Sequence, residues 1–247
     1  MTVEKIKQLI SESLLLKVVL SAMLVALLGV YFKAFFTTGV NFEDTFLKKE
    51  VVASDSHYRG TSAYGGIHIT VKGTKNGQTS AEVVYRLPNN IDRQYTVNFK
   101  TAGDRDSGIE NIMDEQGTIV FEGQYVKDSM FLLDKDGNPM IPDDFVNIRI
   151  NGETPFTSEY TVSLKNVADM ASFANDTIRG KYEFLIIALV IFVFTAIDIK
   201  FPLFFFTMRN FLEVRDPEPS DFYLAMQRAS WYISPVIILI LMIVAIA

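Results

Sequence analysis

Few side chains in this sequence have the chemistry of a catalytic group. Its 247 residues contain two histidines and no cysteines. The lack of cysteine excludes thiol nucleophiles, disulfides, zinc fingers and iron–sulfur clusters. Neither histidine has a serine or an acid in a motif that would make it a base for nucleophilic catalysis. The sequence therefore predicts that the protein is not an enzyme.

The first histidine lies in a segment that could bind a ligand. His57 is close in sequence to Tyr58, Arg59 and Tyr64, a mixture of aromatic and polar residues that is suited to holding a glycan or a peptide. We predict that this segment is an exposed loop, since loops often carry function. An irregular connection without a ligand is the alternative. His68 is expected on a strand, on the face opposite its apolar neighbours.

Two charged residues lie inside long apolar segments, Lys17 in residues 14–36 and Asp198 in residues 182–206. A charge near the centre of a membrane helix costs roughly 2.5 to 3.5 kcal/mol on insertion scales, so it usually has a partner. Counted inward from the outer ends of the two segments, their depths differ by about 8 Å at 1.5 Å per residue. The sequence therefore predicts an ion pair between Lys17 and Asp198. The alternatives are that both extend to the interface, or that they take part in an ion relay.

Acidic residues are grouped at three places in the polar part of the sequence: 104–106, 143–144 and 134–138. The segment from Asp134 to Asn138 resembles a calcium loop in composition, but it lacks the EF-hand spacing. An Asp-Gly turn explains it better. We predict no metal ion and no cofactor.

The first apolar segment has a stripe of small residues, Ala22, Ala26 and Gly29, which follow one helix face. Small residues allow another helix to approach closely. The stripe is predicted to face another helix of this chain or a different subunit. Residues 1–13, which precede the segment, are expected to form a cytoplasmic amphipathic helix.

A charged segment precedes the last apolar segment. Pro219 and Ser220 form a helix stop and an N-cap, and Asp221 favours the positive end of the helix that follows. Together with Glu218 and Arg228, they form the most distinctive motif of the chain.

This last quarter resembles a family of small, uncharacterised membrane proteins common in Firmicutes. The residues that carry the resemblance are Pro202, Glu218, Pro219, Ser220, Tyr223 and Arg228. Where relatives have glycine after the arginine, this chain has Ala229 and Ser230. The resemblance implies a Gram-positive membrane setting and implies no activity.

Three membrane helices are expected, because about 20 apolar residues span the hydrocarbon core. They are residues 14–36, 182–206 and 231–247, with Trp231 and Tyr232 at an interface. A cytoplasmic loop with a short helix is predicted for 207–230. A cleaved signal peptide is the alternative for the first segment.

Between the first two membrane segments, the hydrophobic pattern alternates with the period of a β-strand. An all-β sandwich of about seven strands, immunoglobulin-like, is predicted for residues 38–165, and a helical stalk for 166–181. The predicted strands are 66–72, 79–86, 94–100, 118–122, 124–133, 145–151 and 159–164.

The net charge of −6 belongs to the polar part alone. Residues 38–181 contain 15 basic and 21 acidic residues, and the remainder of the chain is balanced. An acidic surface excludes a typical nucleic-acid-binding protein. It also predicts that a partner bound there by charge is cationic or is bridged by cations.

These features predict a non-catalytic, multi-pass protein of the bacterial cell membrane, with a binding, sensing or assembly role. An accessory subunit of a transporter or channel is the alternative, and an envelope hydrolase is a minor one. The expected partners are the lipid bilayer and other membrane subunits. The Lys and Arg counts on the two sides of the segments are nearly even, but Lys5 and Lys7 precede the first helix, which usually dominates. Together with the lack of cysteine and the acidic polar domain, they favour a cytoplasmic N-terminus, with the large domain and the C-terminus outside.

Overall fold

A computed structural model describes residues 14–73, 78–101, 108–141, 154–210 and 218–247. The chain divides into two compact units. The helix unit consists of the residues up to Thr37 together with Arg179–Ala247, and the β unit is Thr38–Ile178. Residues 1–13 and the strand predicted at 145–151 lie outside the described residues.

Among the described residues, four α-helices belong to the helix unit and one to the β unit. In chain order they are α1 (Leu14–Phe35), α2 (Leu164–Ser172, in the β unit), α3 (Tyr182–Lys200), α4 (Phe204–Asn210) and α5 (Asp221–Val244). Among the described residues, α1, α3 and α5 are long and apolar enough to cross a membrane. The prediction of a multi-pass membrane protein is confirmed to that extent.

The second and third apolar segments differ in their bounds from the prediction. The helix α3 ends at Lys200, and α4 begins only after Pro202. Proline lacks an N–H donor and disfavours helical geometry in the residue before it, which explains the break. The helix predicted in the cytoplasmic loop and the third span form one continuous helix, α5, so Pro235 lies in its interior.

The β unit is built on one antiparallel sheet. In the part of the β unit that the structure describes, nine strands lie in the order β11-β1-β2-β3-β4-β5-β6-β7-β8, and β9 and β10 form a separate hairpin. The bounds are β1 (Thr38–Phe42), β2 (Thr45–Val52), β3 (Asp55–Ser62), β4 (Gly65–Lys72), β5 (Ser80–Leu87), β6 (Ile91–Phe99), β7 (Ile109–Met113), β8 (Ile119–Glu122), β9 (Leu132–Leu133), β10 (Pro139–Met140) and β11 (Thr177–Ile178). A β-rich domain is confirmed, whereas the predicted immunoglobulin-like sandwich is not.

Strand alternation gives the sheet one apolar and one polar face. The buried residues of the central strands include Tyr58, Ile69, Val83, Tyr85 and Val97, and their sequence neighbours point to the other face. The sheet is also strongly curved. Phe42 on β1 and Tyr85 on β5 are four strands apart, about 19 Å in a flat sheet, yet their ring centroids are 5.9 Å apart.

The predicted stalk at 166–181 is part of the core of the β unit. The helix α2 packs against β5, β6 and β7, and its residues Val167–Ser172 are buried. It ends where Phe173 takes a left-handed conformation, with φ of 56°. The chain then forms β11 beside β1. A helical period alone did not show that this helix covers the concave face of the sheet.

Candidate functional site

The half-buried acid of the second span, Asp198, holds two helices together. Asp198 lies near the end of α3, and its two carboxylate oxygens accept hydrogen bonds from α5. Gln227 donates from Nε2 at 2.8 Å, and Trp231 donates from Nε1 at 2.7 Å. Gln227 and Trp231 lie one helical turn apart, so both face α3. We call these three residues the polar clamp.

Aromatic packing continues the contact beyond the polar clamp. Phe194 of α3 packs against Phe205 of α4, with ring centroids 5.3 Å apart, and Phe206 packs against Tyr223 of α5 at 4.9 Å. The hydroxyl of Ser220 accepts a hydrogen bond from the backbone N–H of Tyr223, so it caps α5 as the sequence predicts. The polar clamp is therefore part of one packed helix pair.

Among the described contacts, no ion pair joins Lys17 to Asp198, and the predicted pairing stays a prediction. Lys17 lies on α1, where it borders the shallow surface that Ala22 and Ala26 line. The described hydrogen bonds of the Asp198 carboxylate are those to α5. A buried acid in a membrane helix can be satisfied by neutral amide and indole donors as well as by a cation. The depth of Asp198 along its helix, which was the basis of the prediction, does not distinguish a cationic partner from neutral donors.

The small-residue stripe remains open within the described part of the chain. A Cβ atom added at Gly29 would meet no atom within 4 Å. Ala22 and Ala26 line a shallow apolar surface made by α1 alone. The prediction that the stripe faces another helix of this chain or another subunit stays open.

One end of the helix unit is tightly joined. The backbone N–H of Gly180 donates to the carbonyl of Phe35, and that of Lys181 donates to the carbonyl of Ala245. The Phe35 ring is fully buried and packs against the ring of Tyr182 at 5.3 Å. The end of α1, the start of α3 and the end of α5 therefore meet. Gly180 is the residue from which this junction could have been predicted, because the Phe35 ring packs directly against it and leaves no space for a side chain.

The predicted ligand loop is a strand. His57, Tyr58 and Arg59 lie on β3, and Tyr64 lies in the turn that leads to β4. Tyr58 is fully buried, and its hydroxyl donates to Asp176 at 2.7 Å. It is a core residue and cannot line an exposed loop. The turns on either side of β3 and the polar composition of the strand explain why the pattern resembled a loop.

The two histidines meet on the polar face of the sheet. Nδ1 of His57 lies 3.2 Å from Nε2 of His68, and the hydroxyl oxygen of Thr70 lies 3.2 Å from each of these nitrogens. Arg59 also points its Nε toward Nε2 of His68, at 3.4 Å. The expectation that His68 occupies the face opposite the core is consistent with this arrangement.

A row of basic side chains crosses this face. Lys48 on β2 is the register partner of Arg59 on β3. Arg59 is in turn the register partner of His68 on β4, and His68 is that of Arg86 on β5. Register partners point to the same face of a sheet. Burial lowers the pKa of His68, and the charges of Arg59, His57 and Arg86 lower it further. We call Lys48, Arg59, His68 and Arg86 the basic row.

The acidic segment at 134–138 forms a turn within the β9–β10 hairpin. The carboxylate of Asp134 accepts hydrogen bonds from the backbone N–H groups of Asp136 and Asn138, at 2.9 and 2.8 Å. These bonds, with the Asn138 backbone contact first, lower the pKa of Asp134. The carboxylate of Asp134 therefore stabilises the turn by accepting hydrogen bonds from its backbone.

An apolar cavity of about 370 Å³ lies beside this hairpin. Its described lining includes Tyr95, Val120, Leu132, Val162 and Asp114. The Asp114 carboxylate accepts backbone hydrogen bonds within its own turn, and His57 is not among the described residues of the lining. The convergent carboxylates that a hydrolase would need are therefore not brought together by these residues.

Comparison with known proteins gives one finding for the helix unit. A model of a family of unknown function, DUF6199, matches residues 187–245. The matched range includes the whole polar clamp, the Ser220 cap and Arg228, and it excludes the β unit. It confirms that the last quarter resembles an uncharacterised family. No curated protein and no solved structure matches the chain.

Proposed function

We propose that this chain is a non-catalytic subunit of a bacterial, Gram-positive cell envelope, in which the helix unit anchors and assembles and the β unit binds or senses outside. The observation that carries the proposal is the polar clamp. Both oxygens of Asp198 are used to hold α3 against α5, which is a structural use of a costly intramembrane acid. The match to DUF6199 covers this pair of helices.

The junction at the end of the helix unit shows which parts of that unit lie together, and the orientation itself follows from the proposed cytoplasmic N-terminus. Thr37 and Arg179, where the chain leaves and re-enters this unit, lie at the same end as Ala245, because the Arg179 N–H donates to Thr37 and the Lys181 N–H donates to Ala245. With a cytoplasmic N-terminus, the β unit and the end of α5 are outside.

The partners we propose are the lipid bilayer and other membrane subunits that contact α1. Its apolar side chains are exposed along the helix, and Gly29 has open space around it. A helix that packs against this stripe would bury it closely.

Copurification from native membranes tests the assembly role. We expect a membrane protein to copurify with the tagged chain in mild detergent, and Gly29→Leu to reduce its yield severalfold. Val30→Leu, a change on a neighbouring exposed residue, is the matched control and should leave the yield unchanged. A monomeric protein with no copurifying partner would overturn the assembly role. Transport activity that is lost on Asp198→Asn while the helix pair stays intact would favour a transporter accessory subunit instead.

A further inference from the structure

The basic row is unusual for an acidic domain. Like charges directly opposite one another destabilise a sheet, yet Arg59 and Arg86 flank His68 from the two neighbouring strands. The β unit has enough acidic residues to pair every basic one. The exposed face nevertheless keeps these two guanidinium groups on either side of a histidine.

Carboxylates on the same face are engaged elsewhere. Glu50 pairs with Lys48 at 2.8 Å, and Glu82 pairs with Lys72 at 2.7 Å. Asp92 is the register partner of Arg86, but it forms no ion pair with it. The charge of Arg59 contributes to the lowered pKa of Glu50. Within the described part of the chain, however, neither Arg59 nor Arg86 has a carboxylate at ion-pair distance, so their guanidinium groups can still donate to a ligand.

The spacing of these arginines suits a tetrahedral oxyanion. Neighbouring strands lie about 4.8 Å apart, so the backbones of Arg59 and Arg86, two strands apart, are separated by about 10 Å. Two guanidinium forks that lean toward each other across this gap can each donate two hydrogen bonds to a phosphate. His57 and Thr70 occupy the adjacent row and add polar groups beside it.

We propose that the exposed face of the sheet binds the phosphate group of an anionic ligand between Arg59 and Arg86, above His68. This inference rests on the proposed binding role of the β unit and names the chemical class of its ligand. It also changes the expectation drawn from net charge, since the partner of this face is an anion.

The two histidines make the test direct. In the full-length protein in detergent, with labelled histidine, imidazole nuclear magnetic resonance signals arise from His57 and His68 alone. Inorganic phosphate and glycerol phosphate are added at constant ionic strength, with chloride as the reference anion. We expect a saturable rise in the pKa of His68, because a bound anion opposes the positive charges that lower it.

Charge-neutral variants locate the effect. Arg59→Gln and Arg86→Gln should each weaken phosphate binding at least about tenfold, since each removes charge-assisted hydrogen bonds. Lys72→Gln removes one charge from the same face outside the row and should change binding less than about twofold. Equal effects of all three variants, or a His68 response to phosphate no larger than to chloride, would overturn the proposal.

The source of the phosphate is distinguished by two further samples. In nanodiscs of phosphatidylglycerol, a lipid ligand would raise the His68 pKa without added phosphate, relative to nanodiscs of phosphatidylcholine. A soluble phosphate ester would raise it equally in both. Either result supports the phosphate site, and no response in any sample overturns it. Copurification of a partner through the helix unit is unaffected by this outcome, so the two proposals fail separately.

Discussion

The Asp198 carboxylate is stabilised by hydrogen bonds from two neutral side chains. Because Gln227 and Trp231 occupy both oxygens, changing the acid to an amide places an N–H group against a donor. The sequence revealed the cost of burying Asp198 but not its partners. Gln227 is a neutral residue in an apolar helix and is 8% exposed; its spacing of one turn from Trp231 was the available signal.

Asp198→Asn should lower the free energy of unfolding of the helix unit by about 1 to 2 kcal/mol, within the range of intramembrane hydrogen bonds. The measurement is thermal unfolding in detergent. Glu183→Gln is the matched control, an acid-to-amide change on the same helix, and we expect little effect from it. Equal stability of Asp198→Asn and the unmodified protein would contradict the polar clamp.

Gly180 is required by its contact with Phe35. A Cβ atom at this position would overlap with the buried Phe35 ring. Gly180→Ala should therefore destabilise the junction by about 1 to 3 kcal/mol, a typical cost of overpacking. Gly29→Ala meets open space and serves as the control in the same unfolding assay. If both variants unfold alike, the junction is not packed as described.

At the scale of elements, strands with alternating apolar residues could be predicted, whereas polar strands could not. The predicted ranges 66–72 and 79–86 correspond to β4 and β5. In the strand β3 only Ser56 and Tyr58 are buried, so its composition resembles a loop. It becomes a strand because β2 and β4 supply hydrogen-bond partners on both sides.

The helix α2 depends on a buried acid. Asp169 is 4% exposed, accepts a hydrogen bond from the Tyr125 hydroxyl at 2.9 Å and pairs with Lys165. Asp169→Ala removes the carboxylate that Lys165, Tyr125 and Asn175 share and leaves the largely buried Lys165 ammonium without its ion-pair partner. We expect a loss of about 3 to 5 kcal/mol in the stability of the β unit. The measurement is chemical unfolding followed by far-ultraviolet circular dichroism, which reports on the backbone. Asp136→Ala, at an exposed turn, is the control. A small effect at Asp169 would show that α2 is not held by this acid.

His68, in the basic row, should make the stability of the β unit sensitive to acid. The lowered pKa of His68 means that the folded state binds fewer protons than the unfolded state. Stability is therefore complete above the unfolded pKa of about 6.5 and falls as the pH drops below it. We expect His68→Gln to reduce this loss of stability at low pH, as measured by unfolding at a series of pH values above and below about 6.5. An unchanged pH dependence in the variant would assign the effect to other groups.

At the scale of the whole molecule, the division into an apolar and a polar part could be predicted from hydropathy. The structure separates a helix unit from a β unit near residues 37 and 179. Net charge predicts a cationic partner and averages over the whole surface, so it does not show that Arg59 and Arg86 lie on either side of His68 on one face. Only strand register reveals such a row.

We propose that the membrane helices hold the β unit outside the cell. The chain has no cysteine, so a single introduced cysteine can be labelled without background. Glu115 is exposed in the β unit, and Glu218 is exposed before α5. With a membrane-impermeant maleimide on intact cells, we expect Glu115→Cys to be labelled at once and Glu218→Cys only after permeabilisation. The reverse pattern, or equal labelling of both, would contradict the account.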